Sequence, residues 1–222
     1  MSILTPPKSL PTLAEPLWLP APECPDLPID ELHIWRMRME EPRWRAEEDD
    51  CPVTRNRVER AQMSVFRQNV LEHYAGGLPG VVSGPGAALR VVIAQCDHLA
   101  LMAVSRNVRD VGLDVERVRA DIPFEEMADG FLDAGSQWDL RITWSLQEKA
   151  WKFFQFWTSN EACAQAQPSA SSGHCCHVRR FSPEAEFVAA LAIKGGPEAE
   201  VIHWEWQASL SEPIHYCSHT PE

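Results

Sequence analysis

The sequence predicts an α+β fold, because its strand-like segments come in closely linked pairs while its helical patterns stand apart from them. Two long helical patterns, at 55–74 and 145–166, each run on into a pair of strands. Leu99–Ser105 (LALMAVS) and Phe187–Ile193 (FVAALAI) echo one another at corresponding places. This faint internal repeat divides the chain into a leader, 1–29, an N-terminal half, 30–108, and a C-terminal half, 109–222.

The elements follow from local pattern. Residues 1–29 are rich in proline and read as an extended leader. Residues 32–39 read as a strand, and the charged stretch 40–54, with Glu47-Glu48-Asp49-Asp50, as a solvated loop. Arg55–Tyr74 has helical spacing, with Val58, Ala61, Val65, Phe66, Val70 and Leu71 toward a core and Gly76-Gly77 ending it. A Gly/Pro loop covers 78–88. Strands are expected at 90–94, 99–105 and 111–119, and helices at 123–133 and 145–166. After a Ser/Pro loop at 167–173, three strands close the chain at 177–181, 187–193 and 201–206.

Composition narrows the function classes. A 45% hydrophobic content with nine tryptophans suffices for a substantial core. No run approaches the roughly eighteen apolar residues of a membrane span. Met1-Ser2-Ile3-Leu4-Thr5-Pro6-Pro7 lacks the basic-then-apolar order of a secretory signal. Seven cysteines, an odd number with no CxxC, read as thiols in a reducing cytoplasm. A net charge of -12 argues against nucleic acid as a partner. The only lysines are Lys8, Lys149, Lys152 and Lys194, so any basic patch must be built of arginines, which concentrate at 36–67 and 106–119.

The chemistry-bearing segment is Val111-Gly112-Leu113-Asp114-Val115-Glu116-Arg117. In a strand, Val111, Leu113 and Val115 share one face and Asp114 and Glu116 the other. Two carboxylates held on one rigid face are half of a hard-cation site, since Mg²⁺ takes oxygen ligands and keeps several waters. Alone, such a pair is most simply a solvated acidic face. The helix 145–166 adds a third acid. Trp151, Phe154 and Trp157 form an apolar stripe that Glu161 ends, so Glu161 stands at the edge of the buried face, where it can meet the strand acids.

Together these segments resemble the 4'-phosphopantetheinyl transferases. The strand is similar to that family's G-[IV]-D-[IV]-E segment. Phe153-Phe154-Gln155-Phe156-Trp157-Thr158-Ser159-Asn160-Glu161-Ala162 is similar to its F-F-x-x-W-[ST]-x-K-E-A segment, in matching order and spacing. The tail from Phe181-Ser182-Pro183 through Ile193 resembles the family's closing hairpin, and Leu32–Met37 its opening strand. The likeness spans roughly 30–206 and points to the larger, surfactin-synthetase-activating class. It implies two similar α/β halves, each a small, mainly antiparallel sheet packed on a long helix, with the ligand cleft between them. It also implies transfer of the phosphopantetheine arm of coenzyme A to a serine of an acyl- or peptidyl-carrier protein, by a cytoplasmic monomer. Asp114 and Glu116 would bind Mg²⁺, and Glu161 would complete the metal site or act as base.

The basic positions depart from the family. Asn160 stands where a lysine precedes the helix glutamate, Gln165 where a second lysine contacts phosphate, and Gln95 where a histidine does. Gly84-Pro85-Gly86-Ala87 offers no counterpart to the G-K-P segment. Arg57, Arg60 and His98 are the nearby candidates to compensate, so coenzyme A contacts fall to Arg57, Gln95 and Gln165. Charge-assisted hydrogen bonds are roughly twice as strong as neutral ones. The alternative expectation is therefore a weakened or inactive relative that binds a carrier protein without transfer. His174-Cys175-Cys176-His177 resembles a soft-metal cluster, but four consecutive residues do not easily reach one tetrahedral ion. Arg67 reads as part of a solvated helix face.

Overall fold

A computed structural model describes residues 13–23, 25–39, 52–74, 89–106, 110–166, 176–194 and 199–206, with side chains in the first helix described from residue 58 onward. The elements in order are β1 (Leu19–Pro20), β2 (Glu31–Arg38), α1 (Pro52–Tyr74), β3 (Arg90–Cys96), β4 (Leu99–Ser105), β5 (Val111–Arg117), α2 (Phe124–Phe131), α3 (Ala134–Arg141), α4 (Leu146–Gln165), β6 (Cys176–Phe181), β7 (Phe187–Lys194) and β8 (Glu200–Glu205). The fold is α+β. One sheet has the order β1-β8-β2-β4-β3 and the other β5-β7-β6. The smaller sheet is antiparallel throughout; in the larger one β8 runs parallel to both β1 and β2.

Strand alternation builds three cores. Leu32 and Ile34 of β2 and Leu99, Leu101 and Ala103 of β4 meet Val111, Leu113 and Val115 of β5 and Phe187, Leu191 and Ile193 of β7 between the sheets. The opposite face of the larger sheet, with Trp35, Met37, Ala100, Met102 and Val104, receives Phe66 and Val70 of α1. The opposite face of the smaller sheet, with Val188, Ala190 and Ala192, receives α4 through Trp151, Phe154, Ala162 and Ala166. The layers run helix, sheet, sheet, helix. This explains why β4 and β7 read as unbroken apolar runs: both of their faces are covered.

Several expectations need adjustment. The sheets meet in packed apolar side chains, and a pocket of about 540 Å³ opens at one side, lined in part by Leu17, Leu19, Ile34, Phe181 and Val201. Strand β8 crosses the boundary drawn at 108/109 and pairs with β2 from Glu31↔Glu200 to Arg36↔Glu205. The described part of the leader is tied down. Ala14 O accepts from Ser182 N–H at 3.2 Å, and the Arg36 guanidinium lies 4.3 Å over the Trp18 ring. The helix expected at 123–133 stops at Phe131, and a second short helix follows, because the Asp133 carboxylate caps it by accepting from the Gly135 and Ser136 N–H groups. Val65, expected in the core, is exposed, since the buried α1 stripe runs through Phe66 and Val70. Among the described residues no helix is long and apolar enough to cross a membrane.

Candidate functional site

The site is built on β5 and α4. The inward face of β5 is fully apolar, with Val111, Leu113 and Val115 buried. That anchorage fixes the other face, which presents Gly112, Asp114 and Glu116 toward α4. Helix α4 starts at Ser145, whose hydroxyl accepts from Glu148 N–H at 3.4 Å. It then lies so close to the strand that a Cβ on Gly112 would stand 1.8 Å from Ala162 O and 2.9 Å from Ala166 N. Only glycine permits this approach. Ala162, Ala166, Ala190 and Ala192 form the small-residue floor of the contact. Gln165 adds a tether, its Oε1 accepting from Leu113 N–H on the open edge of β5 at 3.2 Å.

This approach places Glu161 within electrostatic reach of the strand acids. The Asp114 carboxyl is pushed up to about 7, first by burial, then by the neighbouring Glu116 charge, with Glu161 adding to the rise. Its Oδ2 is buried without a hydrogen-bond partner. Burial also raises Glu116, again with a contribution from Glu161, while the Cys96 thiol and the Arg119 charge oppose the rise. Two strand carboxylates whose proton affinity is raised, one with an orphaned buried oxygen, offer the oxygen-only donors a hard cation takes. Among the described residues, however, no group of three or more His, Cys, Asp or Glu side chains is drawn together tightly enough to hold a metal ion. Three carboxylates are donors of the kind Mg²⁺ takes, but their side chains are not gathered into a closed ligand cluster.

The seam between the sheets borders this site, where edge strand β3 adjoins edge strand β5. Cys96 at the end of β3 accepts from Arg117 N–H at 3.3 Å and donates to Glu116 Oε2 at 3.5 Å. Burial pushes its thiol up to about 12, so it remains a protonated donor near neutral pH.

The expected coenzyme A residues fall in different places. Gln95 is exposed on β3 next to Cys96. Gln165 is engaged with the strand backbone. Arg57 lies in α1, but its side chain is outside the described ones. His98 bonds Glu184 at 3.2 Å, and Asn160 Nδ2 donates to Phe131 O at 3.4 Å. His174 and Cys175 lie outside the described residues, as do 84–87 and 47–50. Sequence reasoning missed the helix-approach role of Gly112, the Cys96 bridge and the proximity of Arg119. A glycine inside a strand pattern was the available signal for the first. Arg117, in the same cationic run, is committed to Glu186 at 2.8 Å and Asp97 at 3.5 Å.

The molecule is thus an α+β protein with two acids on one strand and a third acid on the helix packed over it. Comparison with known proteins narrows the class. The chain is 24% identical over 176 residues, 67% of its length and 73% of the relative's, to the 4'-phosphopantetheinyl transferase HetI of Nostoc sp.. That likeness supports a distant relationship to the phosphopantetheinyl transferases. No family model matches the chain.

Proposed function

We propose that this chain is a 4'-phosphopantetheinyl transferase of the surfactin-synthetase-activating class, which moves the phosphopantetheine arm of coenzyme A to a serine of an acyl- or peptidyl-carrier protein with Mg²⁺. The observation that supports the proposal is the close helix–strand approach at Gly112, with the Glu161 charge within electrostatic reach of Asp114 and Glu116. Asp114 and Glu116 would hold the metal. Bound there, Mg²⁺ would neutralise charge that builds on the pyrophosphate as the bond to phosphorus breaks. Glu161 is exposed, and in this reading it accepts the proton of the attacking serine hydroxyl or supplies a further ligand. Arg119, whose charge Glu116 already senses, is a cation available to the phosphates in place of the absent lysines. The proposed enzyme works as a cytoplasmic monomer.

A second reading, a relative that binds a carrier protein without transfer, is favoured by Gln165, which is uncharged and spends its amide oxygen on Leu113 N–H. Incubating an apo-carrier protein with coenzyme A, Mg²⁺ and the chain, followed by intact-mass measurement, separates the two. A gain of one phosphopantetheine arm on the carrier serine is expected. An unchanged carrier mass with retained carrier binding would establish the second reading.

A further inference from the structure

Where α4 meets β6, two thiols face one another. Cys163 of α4 and Cys176 of β6 pack against the same patch of Ala162, Ala166, Ala190 and Ala192. Their side chains are hydrogen-bonded to each other. Both are reduced and partly exposed, so small reagents can reach them. The pairing belongs to a regular helix–strand contact. One helical turn earlier, Ser159 Oγ accepts from Arg180 Nε at 2.8 Å, and Arg180 lies on the same strand face as Cys176, four residues on. Each end of the contact is thus pinned by one side-chain pair, thiol to thiol and guanidinium to hydroxyl.

We propose that Cys163 and Cys176 are a modification site, a reversible disulfide that forms with a low-molecular-weight disulfide such as oxidised glutathione. In the first step one thiol of the pair loses its proton to solvent, and the resulting thiolate attacks one sulfur of the glutathione disulfide and expels a glutathione thiolate. In the second step the other cysteine attacks the protein sulfur of the mixed disulfide and expels the second glutathione. Two protein thiols are oxidised to one disulfide, and one glutathione disulfide is reduced to two thiols.

The position gives the bridge a consequence. Cys163 lies two residues after Glu161 and two before Gln165, so the bond fixes that end of α4 to the smaller sheet. It also closes a short loop across 164–175, which constrains the unfolded chain. Reactivity is restrained. Burial, and then the neighbouring Cys176 sulfur, push the Cys163 thiol up to about 11, against the Arg180 charge. In a reducing compartment such a bond is a transient state rather than a permanent staple.

This inference does not depend on the proposed transfer activity, and its test does not read that activity. The full chain is incubated with oxidised glutathione, alkylated and mapped by non-reducing peptide mass spectrometry. A Cys163–Cys176 cross-linked peptide is expected, lost on treatment with dithiothreitol. Oxidation should also raise Tm by several degrees and slow hydrogen exchange in the last turns of α4. Cys163→Ser and Cys176→Ser should each abolish both effects. Separate alkylation of both thiols after prolonged oxidation would overturn the proposal, as would a bridge from either one to Cys175.

Discussion

The two helix–sheet contacts of this molecule are built on opposite principles. Helix α1 docks on the larger sheet with bulky groups: Phe66 and Val70 sit among Trp35, Met37, Met102 and Val104, and the Tyr74 hydroxyl accepts from Trp35 Nε1 at 2.7 Å. Helix α4, along its C-terminal half, docks on the smaller sheet with almost no side chain at all, through Gly112, Ala162, Ala166, Ala190 and Ala192. The first contact buries apolar area and stabilises. The second sacrifices side-chain burial for proximity, and the helix carboxylate Glu161 comes within electrostatic reach of the two strand carboxylates.

Substitutions can break this contrast in order of expected effect. Phe66→Ala should cost about 3–5 kcal/mol of stability, as deletion of a fully buried aromatic does, while leaving carrier modification by the folded fraction unchanged. Chemical denaturation and intact-mass assays read the two outcomes separately. Gly112→Ala should cost about 1–3 kcal/mol, because the new Cβ collides with helix backbone that no rotamer change can relieve. Unlike Phe66→Ala, it should also abolish modification by the folded fraction. Equal loss of activity in both variants would erase the distinction. Gln165→Leu removes one backbone tether and should cost about 0.5–1.5 kcal/mol in urea unfolding.

Acidity sharpens the same comparison. Asp114 is raised from 3.8 to about 7 in the folded chain, chiefly by burial. Between those values the folded state holds a proton that the unfolded state has released. Stability of the metal-free protein therefore falls as pH rises through that window. Asp114→Asn should flatten this part of the stability profile and stabilise the metal-free chain above pH 7. An unchanged slope would show that Asp114 is not strained by its surroundings.

Much of this was legible in the sequence. Alternation across Val111–Glu116 gave β5 and its two faces, and Ser145 marked the start of α4. The three acids could be chosen because period-2 and period-3.6 patterns say which face each residue takes. Other features depend on partners distant in sequence. Nothing local in Glu200–Glu205 says that it lies between β1 and β2, because strand pairing is decided by the whole sheet. Helix α3 has a weak apolar pattern, with Trp138 and Ile142 exposed, and only its Asp133 cap marks it. Gln165 was assigned to coenzyme A by its position on the helix, and its engagement with Leu113 N–H becomes visible only once α4 is laid on β5. The Cys96 link to Glu116 joins the edges of two sheets, a relation no sequence window contains.

The central claim is that Asp114, Glu116 and Glu161 act as one hard-cation site. Calorimetric titration of Mg²⁺ into the chain and into Asp114→Asn, Glu116→Gln and Glu161→Gln tests it most directly. A single site is expected in the unsubstituted chain, lost or sharply weakened in every variant. Equal Mg²⁺ affinity in all four proteins, or no binding by the unsubstituted chain, would contradict it.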